Sequence, residues 1–413
     1  MAGQDQGSPD TATPGAGRLE AMQPSQIREI HNLYQSLKQE DPDRSFIPLH
    51  FGEPDLGTPQ FIIDAACRAL NDGAVFYEPN AGRHDLREAL AEHFQEYYRV
   101  ELSPHNFLVT CGGTQGIALS LLALVRPGDE VINITPNWPN FAEAARIAGA
   151  RVHQLALRFS EEERVFRMDF QALEGKLEAL DRPRVVIVNT PSNPTGWVMT
   201  AAEQERLWEL SGRYGVYLLM DEMYDRIVFT EAPFPSALRL ADLKAQAPEE
   251  WGRMILVNGF SKTYCMTGWR LGYLVSAPAL VAEMARMQEF ITSHAPSMAQ
   301  VAGITALKEG EPFVAQSLER YRGLRDLTLE RASALPGATA ARSDGSFYSF
   351  FRLSAAADSV RFCKELLKAT GVVLAPGSAF GQGGEGWLRL CFANEPERLN
   401  EAFDRVADYL GKT

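Results

Sequence analysis

The chain has 413 residues, with 40 Lys or Arg against 53 Asp or Glu, and so a net charge of −13. That length accommodates two or three domain-sized units and a large core. The acidic balance argues against a nucleic-acid-binding surface, and no apolar run approaches the roughly 20 residues that cross a bilayer. The start lacks the apolar centre of a signal peptide. Five dispersed cysteines without a CxxC pair, and seven histidines without metal-ligand spacing, leave no disulfide framework and no required metal to expect. A reducing cytoplasm is the natural compartment.

Residues 1–18, rich in Gly, Pro, Ser, Thr and Ala, read as an extension outside the fold. An amphipathic helix is expected over 24–37, leading into the loop Phe51-Gly52-Glu53-Pro54-Asp55, where glycine and proline end regular structure. Further on, β-rich runs at 107–110, 130–134, 185–188, 216–220 and 255–257 alternate with helical stretches. That alternation predicts an α/β fold with a mostly parallel sheet, whose ligands bind beyond the carboxyl ends of the strands. Residues 282–309 and 312–334 read as helices, and strand runs near 346–352 and 387–392 suggest a smaller C-terminal α+β unit. Tyr348, Phe350 and Phe351 read as sheet and core packing without a catalytic role.

Four loops carry chemistry. Thr110-Cys111-Gly112-Gly113-Thr114-Gln115-Gly116 follows a strand and opens an apolar helix, so its backbone N–H groups can cradle a phosphate. It is neither GxGxxG nor a P-loop, and a tight structural turn is the plainer alternative. Asn189-Thr190-Pro191-Ser192-Asn193-Pro194-Thr195-Gly196 follows the run 185–188, and its two prolines aim Asn193, unless this is only a stiff turn. Asp221 leaves the end of a strand, where an ionised carboxylate needs a donor or cation; a ring N–H would serve, and helix capping is the alternative. Tyr224, one helical turn on, can lie near the same ligand. Lys262, in Ser261-Lys262-Thr263-Tyr264-Cys265-Met266-Thr267-Gly268-Trp269-Arg270-Leu271-Gly272-Tyr273, is either a solvated charge or an amine that attacks a carbonyl, helped by nearby Arg270.

Together these loops resemble the class I aminotransferases of the pyridoxal-phosphate fold type I (aspartate aminotransferase-like) superfamily, from about residue 45 to 410. The resemblance implies a large pyridoxal-phosphate-binding domain over 56–300, its sheet flanked by helices. A small α+β domain would cover 301–413, with the segment 19–55 packed on it. Lys262 would carry the cofactor and move a proton between substrate Cα and cofactor C4′. Asp221 would keep the pyridine nitrogen protonated, so that the ring acts as an electron sink. Asn193 and Tyr224 would bond the phenolic oxygen, and Trp138 matches the aromatic that stacks on the ring. The phosphate would go to Gly113, Thr114, Ser261 and Arg270, with Gly112 supplying the close turn.

The same resemblance assigns Arg389 to the substrate α-carboxylate, with Gly52 and Asn193 beside it. Tyr77, in Phe76-Tyr77-Glu78-Pro79-Asn80-Ala81-Gly82, matches a tyrosine that reaches the other subunit's cofactor phosphate, which implies a homodimer. The implied activity is ping-pong transfer of an amino group between an L-amino acid and a 2-oxo acid, with small-molecule substrates and neither nucleic acid nor membrane as partner. A β-lyase on the same scaffold is the alternative. An effector-sensing regulatory domain is a more distant one, for which the chain offers little sequence ahead of the resemblance. The segment Ile291-Thr292-Ser293-His294-Ala295-Pro296, placed by the family near the partner's substrate pocket, carries no arginine. This disfavours a dedicated aspartate enzyme and favours an aromatic, aliphatic or broad donor range, with His294 read as a loop residue.

Overall fold

A computed structural model describes residues 22–230, 234–243 and 252–412, so the expected extension over 1–18 lies outside the described residues. Its centre is a seven-stranded sheet in the order Phe107–Thr110, Gly272–Val275, Met254–Gly259, Tyr217–Asp221, Pro183–Asn189, Glu130–Thr135, Arg151–Ala156. All strands run parallel except Gly272–Val275, which is antiparallel to both of its neighbours. Val186 and Val188 enter one apolar core while Val185 and Ile187 enter another on the opposite face. Burial on both faces is why these strands read as unbroken apolar runs rather than alternating ones.

Gly272, the first residue of the antiparallel strand, permits a close backbone approach. A Cβ there would stand 2.6 Å from the carbonyl carbon of Gly112 and from the nitrogen of Gly113, so only glycine lets the two backbones touch. Gly112 itself has φ +76°, a left-handed turn from the strand Phe107–Thr110 into the helix Gly112–Leu124.

A second, antiparallel sheet has the order Ala338–Ala340, Tyr348–Leu353, Trp387–Cys391, Ala375–Pro376. The helices Glu311–Ser333, Ser359–Thr370 and Pro396–Leu410 pack with it around a core that includes Phe351, Leu366, Leu388 and Phe403. The N-terminal helix Gln26–Glu40, somewhat longer at its end than the expected 24–37, adds Ile30 and Tyr34 to that core. The segment after it pairs Ile47–Pro48 in parallel with Val372–Val373.

One expectation fails here. Residues 282–309 are not a continuous helix but parts of two, Pro278–Glu289 and Ser297–Glu309. Ser293 between them has φ +58°, and Pro296 precedes the second helix, where its missing N–H costs nothing. The Gln288 amide donates to the carbonyls of Asn80 (2.6 Å) and Val109 (2.9 Å), tying the break to the strand that leads into the Gly112 turn. Among the described residues no helix is long and apolar enough to cross a membrane.

Candidate active site

The carboxyl ends of the parallel strands open into a cavity of about 340 Å³, a size suited to a small molecule. Gly113 and Thr114 reach it from the first turn of the helix Gly112–Leu124, and Trp138 from the loop after Glu130–Thr135. Asn193 comes from the loop after Pro183–Asn189, Asp221 from the last position of its strand, and Tyr224 from the turn that follows. Ser261, Lys262 and Arg270 belong to the connection between Met254–Gly259 and Gly272–Val275, while Gly52 and Arg389 approach from the side of the second sheet. Gly112 adjoins the cavity rather than lining it: a Cβ on it would collide with the Arg270 guanidinium.

Hydrogen bonds connect these groups. Lys262 Nζ donates to the Gly52 carbonyl at 2.6 Å. Arg389, 2 % exposed, donates through Nη1 to Asn193 Oδ1 at 2.9 Å and through Nη2 to the His50 carbonyl, while its Nε is buried without a partner. Asn193 N donates to Asn189 Oδ1 (2.8 Å), and Asn189 Nδ2 donates to Asp221 Oδ1 (3.3 Å). A continuous polar line thus runs from Arg389 to Asp221. Because Arg389 occupies the Asn193 carbonyl oxygen, the Asn193 amide N–H groups are left to donate elsewhere.

Tyr348 is buried in its sheet and core, as its packing reading expects, and it also lines the cavity: its hydroxyl lies 2.6 Å from that of Tyr224, and the Arg389 guanidinium carbon sits 4.6 Å from its ring centroid. Ser25, Ile27 and Arg28 from the start of the N-terminal helix, together with Phe51, Asn189 and Thr267, also line the cavity and were not singled out from sequence. Tyr77 does not line its own chain's cavity: it is 90 % exposed, with its ring edge-on to His294 at 5.9 Å.

The family model for aminotransferase class I and II matches residues 44–406. The chain belongs to this family. It is 34% identical to the aspartate aminotransferase of Pyrococcus horikoshii, over 95% of this chain and 96% of that protein. To the aromatic-amino-acid aminotransferase 2 of Thermococcus litoralis it is 33% identical, over 95% and 97%. Among solved structures, the aspartate aminotransferase of Thermotoga maritima superposes with a TM-score of 0.87 at 32% identity, covering 95% of this chain and 99% of that one. The Thermus thermophilus aspartate aminotransferase with maleate gives 0.85 at 33%, covering 99% and 100%.

This aminotransferase uses pyridoxal 5′-phosphate, and the cavity's donor set fits that group. Asp221 is buried, and burial pushes its carboxyl up to about 7 in spite of hydrogen bonds from Met223 N (3.0 Å) and Asn189. Such a carboxylate is short of a cationic donor, and a protonated ring nitrogen is one. Burial lowers the Lys262 amine to about 8, with Arg389 and Arg270 adding to that effect against Cys391 and Glu53. An amine in that range is poised for covalent chemistry. The N–H groups that open the helix Gly112–Leu124, with Arg270 beside them, are of the donor type that suits an anion.

Proposed function

We propose that Lys262 carries the cofactor in this cavity and is the catalytic base of the aminotransferase. The buried amine with lowered proton affinity, sharing one cavity with Asp221, is the observation that supports this reading. Pyridoxal phosphate, when bound, supplies an electron sink for the pair left on the substrate Cα as its proton departs. Asp221 holds the ring-nitrogen proton, and Asn193 and Tyr224 donate to the phenolic oxygen. Trp138 covers the ring. Gly113, Thr114, Ser261 and Arg270 hold the phosphate, and Gly112 gives the turn that lets Arg270 approach. Arg389 takes the substrate α-carboxylate beside Gly52 and Asn193. Its buried, unpartnered Nε and its link to Asn193 favour that role. Lys262 then moves the proton off Cα.

The enzyme moves an amino group between an L-amino acid and a 2-oxo acid in two half reactions. Mixing the protein with an amino donor alone should release about one oxo acid per site and stop, and adding an acceptor should restore turnover. Continuous pyruvate release from a cysteine conjugate without acceptor would instead mark a β-lyase.

We also read the chain as a cytoplasmic homodimer, with 19–55 packed on a small domain of 301–413 and 56–300 forming the large one. Phe76 (78 % exposed), Tyr77 and Phe290 (86 %) each present uncovered apolar surface, and the Ser297 hydroxyl donates to the Phe76 carbonyl at 2.9 Å, tying the Tyr77 loop to the start of the helix Ser297–Glu309. A partner subunit covers such a surface, and Tyr77 then reaches the neighbouring cofactor phosphate. Sedimentation should give about twice 45.7 kDa, and a stable monomer would remove this reading.

A further inference from the structure

Among the residues that line the cavity, the charged ones are Asp221 and the cations Lys262, Arg270, Arg389 and Arg28. Three of these cations are engaged. Lys262 donates to Gly52, Arg270 donates to the Thr267 carbonyl at 2.8 Å, and Arg389 holds Asn193 and His50. Arg28 differs. Among the described residues its guanidinium has neither an ion-pair nor a hydrogen-bond partner, and its recorded contact is the face of Phe51, 5.6 Å away. Its backbone is fixed all the same, because Arg28 N donates to the capping Ser25 hydroxyl at 3.2 Å and so sets the first turn of the helix.

Arg28 stands at the substrate end of the cavity. Phe51, under its guanidinium, stacks on His50 with ring centroids 4.3 Å apart, and the His50 carbonyl is what Arg389 grips. The charges of Arg389 and Arg28 both bear on the His50 ring. A substrate with its α-carboxylate on Arg389 and its Cα at Lys262 shares this cavity with a second guanidinium that no acid among the described residues pairs.

We propose that Arg28 is the specificity-determining residue for dicarboxylic substrates, pairing with the carboxylate at the far end of the substrate side chain. The proposal rests on the aminotransferase reading of the cavity. A guanidinium matches a carboxylate through two parallel N–H donors, which gives direction as well as attraction. Arg28 is also exposed, so water satisfies it when no distal carboxylate is present. An apolar side chain can then lie against Phe51, Ile27 and Ile117 without leaving a buried charge unpaired. This asymmetry suits an enzyme whose two half reactions use different substrates in one site. It also supplies, from the chain's own N-terminal helix, the arginine that the segment 291–296 lacks.

The test compares cofactor-loaded wild type with Arg28→Gln and Arg28→Lys, using L-aspartate and L-glutamate against L-phenylalanine and L-alanine. Arg28→Gln should lower kcat/KM for the two dicarboxylic donors by roughly 10- to 100-fold, the value of a charge-assisted hydrogen bond, and leave the other donors unchanged. Arg28→Lys should recover part of the loss. Maleate, a dicarboxylate without an amino group, should perturb the visible spectrum of wild type at lower concentration than of Arg28→Gln, whereas acetate should not distinguish them. An equal loss for all donors, or no loss for the dicarboxylic ones, overturns the assignment of Arg28. A wild type that turns over no donor overturns the aminotransferase reading, and the proposal with it.

Discussion

Replacing Lys262 with alanine is expected to cut multiple-turnover transamination by roughly 10,000-fold, the upper range for one positioned acid–base group. The variant should fold, because the amine makes a single hydrogen bond, to Gly52, and removing a buried amine relieves a desolvation cost. Thermal unfolding of the cofactor-free protein would establish that. Turnover at the wild-type rate would remove Lys262 from the reaction. The wild type should also show a pH signature. Its buried amine is mostly protonated below about 8 and acquires a free electron pair above it, so capture of pyridoxal phosphate by the cofactor-free protein should accelerate as pH rises and level off above that value. The slope should approach tenfold per pH unit on the acid side. A flat profile across that range would mean that another group limits capture.

Asp221→Asn is the second large effect. The amide has nearly the same shape and can still accept from Met223 N, which donates to Asp221 Oδ1 at 3.0 Å, but it cannot carry the charge that a protonated ring nitrogen requires. We expect kcat to fall by roughly 100- to 1,000-fold, comparable with losing one preorganised electrostatic contact to a transition state. KM should change much less, because Arg389 and the rest of the substrate end are untouched. Asn189, which donates to Asp221 Oδ1 at 3.3 Å, would be left facing an amide whose orientation it helps to choose. An asparagine variant with unaltered kcat would show that ring-nitrogen protonation does not limit the reaction.

The sheet was legible because Val185 to Val188 and their counterparts are buried on both faces and therefore lack polar interruptions. Arg151–Ala156 escaped notice because an edge strand carries arginine, histidine and glutamine among its apolar positions. Gly272–Val275 was read only as the tail of the lysine motif, since four residues give little pattern and its pairing partners are remote in sequence. On the site, Asp221, Asn193 and Lys262 were visible because each follows an obvious strand and interrupts it with a residue a plain turn does not need. Tyr348 was not, since an aromatic inside a strand has the same sequence signature whether its hydroxyl meets solvent, core or ligand. Arg28 was hidden for a different reason. On an amphipathic helix it reads as part of the solvated face, and only the docking of that helix against the cavity gives it a neighbourhood.

The two-residue pairing of Ile47–Pro48 with Val372–Val373 has a mechanical corollary. Arg28 and Phe51 flank that tether on one strand's segment, while Arg389 and Tyr348 hang from the sheet on the other side of it. The two arginines are therefore mounted on one framework, and the interval between them is set by that pairing and by the shared core of Ile30, Tyr34 and Leu388 rather than by the loops that carry Lys262 and Asp221.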